Sequence, residues 1–321
     1  MFQKPGRSPS RDRDERAGVV VRRNGFPLGG PRFRVSEQFV DRLDRCQIRA
    51  DSLLSVGLDP DPSRLPRALA RLPPKQRLRS FIEGVVAHTR EVAAVYKAQL
   101  AAYLAFGSPG VELLFDLPKI VGPDRLTILD LKANDIPNTM RLYREGLLRP
   151  GRFDAITATP WAGWDSIETL LADPGRGVFV VVHTSNAGSR DLQELRGTRG
   201  RPIWLDVACR AARLGRPRGN VGVVVGATYP RAIARVRASV GASVPILAPG
   251  IGAQAGDLEA TVRAGINRSG RGLLVNASRS VLYARGSGDW TARVGRAAAA
   301  LCGAINAARE AALRTGRRAA G

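Results

Sequence analysis

Short apolar runs alternate with helix-period segments along most of this chain. The runs are Leu53 to Leu58, Ala93 to Leu100, Leu126 to Leu131, Asp154 to Thr159, Val178 to Thr184, Val221 to Gly226, Pro245 to Pro249 and Gly272 to Ala277. Rich in Val, Ile and Leu, they read as strands of a parallel sheet covered on both faces. Between them lie helical stretches such as Leu78 to Arg90, Asp165 to Ala172, Val207 to Leu214, Tyr229 to Ala238 and Asp257 to Ala264. Helical spacing through Phe39, Val40, Leu43 and Ile48, with Ser36 as a candidate cap, predicts a helix before the first run. The Ala-rich segment Trp290 to Arg314 predicts a closing helix. Eight β/α repeats in about 270 residues predict an α/β fold, a TIM (β/α)8 barrel. The alternative is an open doubly wound sheet. The barrel is preferred because polar groups recur at or just after the strands: Asp59, Lys97, Asp130, Lys132, Ser185, Gln254 and Arg279. A barrel gathers all these ends at one mouth, where barrel active sites lie. Residues 1–34 mix Arg, Asp, Gly and Pro without periodicity and read as a disordered basic tail, leaving 35–321 as a single barrel domain.

Chemistry concentrates after the third run, in Asp130-Leu-Lys132-Ala-Asn-Asp135-Ile136-Pro137-Asn-Thr139. On a strand, Asp130 and Lys132 are two apart and share a face. Asp135 follows in a loop, and Pro137 suits the first turn of a helix. A surface salt-bridge cluster would have the same spacing, but an acid–base–acid set at a strand end can also tune proton transfer. Lysine usage favours the second reading. Of 50 basic residues only Lys4, Lys75, Lys97, Lys119 and Lys132 are lysines. An ammonium can release a proton where a guanidinium cannot. Lys132 stands between aspartates and Lys97 in an otherwise apolar run, whereas the other three read as surface residues.

Composition narrows the field. No apolar run reaches the roughly 18 to 20 residues that span a bilayer, and the N-terminal segment has no apolar signal core, so a cytoplasmic location is expected. Three scattered cysteines without a CxxC pair, and two histidines, argue against a disulfide framework and a Cys- or His-based metal site. The formal charge of +22 raises nucleic-acid binding. The arginines, however, are dispersed, and aromatics are only 6% of residues, so no block of interleaved basic and aromatic side chains forms.

Other strand ends add recognition groups. Asp59 closes Val56-Gly-Leu-Asp59-Pro60, where a turn aspartate is also an ordinary choice. Ser185 and Asn186 offer donors and acceptors suited to a heterocycle edge, or to closing their own loop. The Pro249-Gly-Ile-Gly252-Ala-Gln254 loop allows backbone N–H groups to approach an anion, and Arg279 in Ser278-Arg279 can grip a phosphate through two nitrogens. Loops after the seventh and eighth strands are where barrels often bind phosphate.

Taken together, Asp130-x-Lys132-x-x-Asp135-Ile136-x-x-Thr139, Lys97, the Pro249 to Gln254 loop and Ser278-Arg279 resemble orotidine 5′-phosphate decarboxylase. The Thr184-Ser-Asn186 turn and Ser278-Arg-Ser-Val-Leu-Tyr-Ala284 resemble its longer bacterial branch, and the resemblance covers Leu53 to Ala284. Ala133, where that branch often has Arg, and Leu131, where it has a smaller residue, depart from the pattern but leave the charged set intact. The resemblance implies decarboxylation of orotidine 5′-phosphate to uridine 5′-phosphate with no metal or organic cofactor. It implies that Lys132 donates the proton, that Asp130 sits near the departing carboxylate, and that Lys97 links the charges to the ribose. It also implies a homodimer in which Asp135 and Thr139 enter the neighbouring subunit's site. Asp59 and Thr139 would bind ribose hydroxyls, Ser185 the pyrimidine, and Gly252, Gln254 and Arg279 the phosphate, with Ile136 among the substrate-binding residues.

Two other functions compete. A related barrel acting on a sugar phosphate would share the aspartate–lysine signature but depend on magnesium. A basic nucleic-acid-binding protein would bind strands with strong salt dependence.

Overall fold

The computed structural model describes residues 37–251 and 257–318. Eight strands, β1 (Leu54–Gly57), β2 (Val95–Gln99), β3 (Leu126–Ala133), β4 (Ala155–Ala158), β5 (Gly177–His183), β6 (Val221–Val225), β7 (Ile246–Pro249) and β8 (Leu273–Ala277), close into a parallel barrel in sequence order. The closing pair is β1 with β8, in register from Leu54↔Val275 to Val56↔Ala277. The order of the strands in the barrel excludes the open-sheet alternative, and every predicted apolar run lies on its strand within a few residues.

Helices α1 (Phe39–Ala50), α2 (Pro74–Thr89), α3 (Leu100–Leu104), α4 (Ser108–Val121), α5 (Pro137–Leu147), α6 (Trp164–Leu170), α7 (Ile203–Gly215), α8 (Pro230–Val240), α9 (Leu258–Gly265), α10 (Arg279–Leu282) and α11 (Trp290–Arg318) accompany the strands. Two of them, α3 and α4, occupy the stretch between β2 and β3 where the pattern had assigned no helix. Pro109 and Pro118 obscure α4 in the sequence, yet Pro109 lies in its first turn, where no N–H is needed. None of the described helices is long and apolar enough to cross a membrane.

The N-terminal helix corrects one detail of the sequence reading. Its inward face is Phe39, Leu43 and Gln47, whereas Ile48 is 56% exposed. Phe39 meets Phe179 edge-on at 5.9 Å and lies so close to Gly177 that a Cβ there would approach its ring to 2.5 Å. Gln47 donates Nε2–H to the Leu273 carbonyl at 2.6 Å and accepts the Gly272 N–H at 3.1 Å. The buried polar Gln47 thus ties α1 to the start of β8, at the end of the barrel opposite the C-terminal ends of the strands. The helix begins after Gln38, which makes no side-chain cap bond; the expected cap Ser36 and the basic tail at 1–34 lie outside the described residues.

Candidate active site

The mouth of the barrel holds a cavity of about 520 Å³ lined by residues from most of the strand ends, a size suited to a small organic ligand. Its charged floor is built on β2 and β3. Lys97, 4% exposed on β2, donates to Asp130 Oδ2 at 3.1 Å. Lys132 donates to the other oxygen, Oδ1, at 2.8 Å. One carboxylate is therefore clasped between two ammonium groups. Burial works against the charge on Asp130, but Lys97 and Lys132 outweigh it and bring the carboxyl down to about 2. Burial would likewise lower the Lys97 ammonium, but the Asp59 and Asp130 carboxylates overcome it and hold its pKa above the ordinary lysine value.

Asp130 and Lys132 do share the mouth, though not by simple strand alternation. The pairing of β3 with β4 runs Ile128↔Ala155 and Leu129↔Ile156 and resumes at Ala133↔Ala158, so β3 advances four residues while β4 advances two. Within this bulge Lys132 has φ +52°, a left-handed conformation rare for a side chain of its size. Such backbone costs on the order of 1–3 kcal/mol. Bulges commonly re-aim side chains beside active sites.

Around this floor stand the recognition groups. Asp59, just beyond β1, accepts the Gln99 N–H at 2.8 Å and the Ser278 hydroxyl at 2.5 Å, which fixes its carboxylate between β2 and β8. Ser185 lines the cavity after β5. Its loop is braced where the Thr184 N–H donates to Gln193 Oε1 at 2.9 Å. Arg279, exposed at the start of α10, lines the cavity beside Pro249 and Gly250. Gly252 and Gln254, expected in the same phosphate loop, lie outside the described residues. Among the described residues no three His, Cys, Asp or Glu side chains gather as a metal-binding group.

Asp135, Ile136 and Thr139 are not among the residues that line this cavity. Asp135 Oδ1 accepts the neighbouring Ile136 N–H at 2.8 Å, and its carbonyl accepts the Ser166 hydroxyl at 2.6 Å. Ile136 is 61% exposed. Thr139, on the first turn of α5, lines a separate apolar groove with Leu104, Phe115, Leu131 and Leu142.

Several lining residues escaped the sequence reading. Asn276, buried near the end of β8, accepts the Ser55 hydroxyl at 3.0 Å. Tyr283 accepts the Asp61 N–H at 2.7 Å, lies under the Arg64 guanidinium at 4.0 Å, and is pushed up to about 12 mainly by burial. His183 is buried against Tyr229 and Trp204, at 4.3 and 5.5 Å between ring centres, and among the described residues neither ring nitrogen has a hydrogen-bond partner. Burial lowers its pKa despite Glu194 at 3.6 Å. A polar residue inside an apolar run, such as Asn276 in Leu273-Leu-Val-Asn-Ala277, is the signal that could have found the first of these.

Comparison with known proteins agrees with this geometry. The sequence pattern of the Orotidine 5'-phosphate decarboxylase / HUMPS family matches residues 52–289. The chain belongs to that family. Relatives named orotidine 5'-phosphate decarboxylase include one from Bordetella pertussis, 41% identical over 84% of this chain and 99% of its own. Another, from Thermomicrobium roseum, is 41% identical over 81% of this chain and 92% of its own. The solved structure of Leishmania donovani OMP decarboxylase superposes with a TM-score of 0.73 at 36% identity, covering 85% of this chain and 99% of that one.

Proposed function

We infer that the cavity at the barrel mouth binds orotidine 5′-phosphate and that the Lys97–Asp130–Lys132 array removes its carboxylate. The reaction of this carboxy-lyase is the conversion of orotidine 5′-phosphate to uridine 5′-phosphate, a step of de novo pyrimidine synthesis. The observation that carries the assignment of residues is the Asp130 carboxylate held between two ammonium groups, one buried and one open to the cavity.

In this reading the substrate carboxylate lies beside Asp130, whose charge is fixed by its two lysines. The bond from C6 to the carboxylate carbon breaks, carbon dioxide leaves, and the electron pair remains on C6. The Lys132 ammonium stabilises that developing charge and transfers its proton to C6; solvent then restores the ammonium. Lys97 spans Asp130 and the ribose side of the cavity, where Asp59 accepts from a ribose hydroxyl. Ser185 faces the pyrimidine. Arg279, with Gly252 and Gln254, holds the phosphate, and this remote binding energy favours closure over the base.

The active species in this reading is a cytoplasmic homodimer of single barrel domains. Two features support the shared site. Asp135, Ile136 and Thr139 stand outside their own cavity, and Thr139 borders an apolar groove with Leu104 and Leu142 more than half exposed. An apolar patch of that kind marks an association surface. A neighbouring copy docked there would bring Asp135 and Thr139 to the second cavity.

The test follows loss of orotidine 5′-phosphate absorbance with purified protein, with and without a chelator. Undiminished turnover with chelator is the expected result. Turnover that disappears with chelator and returns with magnesium would favour the metal-dependent sugar-phosphate barrels instead.

A further inference from the structure

The bulge in β3 leaves a question of how Asp130 and Lys132 are held in register with each other. Between Leu129↔Ile156 and Ala133↔Ala158 the backbone ladder is interrupted, and the β4 residue facing the gap is Thr157. Its hydroxyl is used twice. Thr157 Oγ1 accepts the Lys132 N–H at 2.9 Å and donates its own hydrogen to Asp130 Oδ1 at 2.8 Å. The residue borders the cavity but is only 1% exposed.

The consequences are specific. A left-handed residue turns its N–H out of the regular ladder, and a buried N–H without an acceptor is costly. The Thr157 hydroxyl supplies that acceptor at Lys132, one of only two non-glycine positive-φ positions among the described residues. The same oxygen, by donating to Oδ1, sets the rotation of the Asp130 carboxylate, so that Oδ1 faces Lys132 and Oδ2 faces Lys97. Branching at the Thr157 Cβ restricts its χ1 and keeps the hydroxyl aimed at the bulge. The alternative, a threonine that merely satisfies its own hydroxyl in the core, would need only one partner and would not choose the bulge.

We propose that Thr157 is a positioning residue for the decarboxylation, fixing the backbone of Lys132 and the carboxylate of Asp130 through one hydroxyl. The inference rests on the roles given above to Asp130 and Lys132. It concerns turnover rather than substrate binding, because Thr157 borders the cavity but its hydroxyl is committed to the Lys132 N–H and Asp130 Oδ1.

The experiment compares Thr157→Val, Thr157→Ser and Lys132→Ala with the natural enzyme. It measures kcat and KM for orotidine 5′-phosphate, affinity for uridine 5′-phosphate, and thermal midpoint. Thr157→Val keeps the shape and removes both hydrogen bonds. Its kcat should fall about 10- to 100-fold, the scale of losing hydrogen bonds to charged, buried groups, while KM and product affinity stay within about threefold. Thr157→Ser restores the hydroxyl and should recover most of the lost kcat. Retention of near-natural kcat by Thr157→Val would overturn the proposal. So would equal damage in Ser and Val, or a loss confined to KM and thermal midpoint, because a purely structural role would give those. An active Lys132→Ala would overturn the site assignment itself and Thr157's role with it. An inactive Lys132→Ala beside a fully active Thr157→Val would overturn the Thr157 proposal alone.

Discussion

Residues 130–132 and residues 135–139 are neighbours in sequence but behave as two different kinds of structure. The first segment is wired within its own chain: Asp130 meets Lys97, Lys132 and Thr157, and every contact is made inside the barrel. The second segment leaves the barrel. Asp135 turns back on its own backbone, Ile136 is exposed, and Thr139 borders an apolar groove. The difference teaches that one continuous motif can be split between a preformed charge cluster and a segment that stands outside the cavity. The first part offsets the burial of charge by setting one carboxylate between two ammonium groups; the second is open, and in the proposed dimer a neighbouring copy covers it.

The largest expected effect falls on the preformed half. Lys132→Ala should reduce turnover by about 10²- to 10⁴-fold, the range for loss of a positioned proton donor, with the thermal transition nearly unchanged. Lys132→Arg should be almost as damaging, because a guanidinium holds its proton and is larger. Steady-state kinetics on both variants decides this, and substantial turnover by the arginine variant would remove Lys132 from the proton-donor role.

A charge placed on the open half should act through assembly. Leu142, 54% exposed at the groove, is changed to Glu. Burying an unpaired carboxylate in an apolar interface costs several kcal/mol, so sedimentation should show monomer, and activity should fall about tenfold or more at dilute protein and recover partly at high concentration. A variant that remains dimeric and fully active would place the interface elsewhere.

The smallest effect is a titration. The Asp130 carboxyl sits at about 2, below its ordinary 3.8. A depressed carboxyl stabilises the fold fully above the unfolded value and loses that contribution as pH falls from 3.8 through about 2, roughly 2 kcal/mol in all. A carbon-detected titration of the Asp130 side chain should therefore have its midpoint near 2. A midpoint at the ordinary value would mean that the two lysines do not clasp it in solution.

Much of this was legible in the chain. Eight Val-, Ile- and Leu-rich runs placed the strands, because strands buried on both faces must be continuously apolar. Lysines surviving in an arginine-rich chain pointed to Lys97 and Lys132. What periodicity could not show was the bulge. Asp130 and Lys132 share a face by spacing in a regular strand, whereas here they do so across two extra residues, with Lys132 left-handed. Thr157 was hidden for the same reason, since its partners are set by a register break on the adjacent strand. Gln47 was passed over for Ile48 because hydrophobicity ranked isoleucine first, while the backbone groups at the start of β8 required an amide. The roles proposed for Asp135 and Thr139 involve a second chain, which no pattern within one chain can place.

Subunit mixing tests the division between the two halves most directly. Lys132→Ala and Asp135→Ala chains, each inactive alone, are combined under conditions that exchange subunits. In a two-fold dimer with shared sites, a mixed dimer has one site carrying both substitutions and one carrying neither. Free exchange makes about half of the dimers mixed, so activity should return to about one quarter of the natural value per total site. Absence of recovery, with mixed dimers demonstrated by mass, would contradict the account: Asp135 would then serve its own chain's cavity.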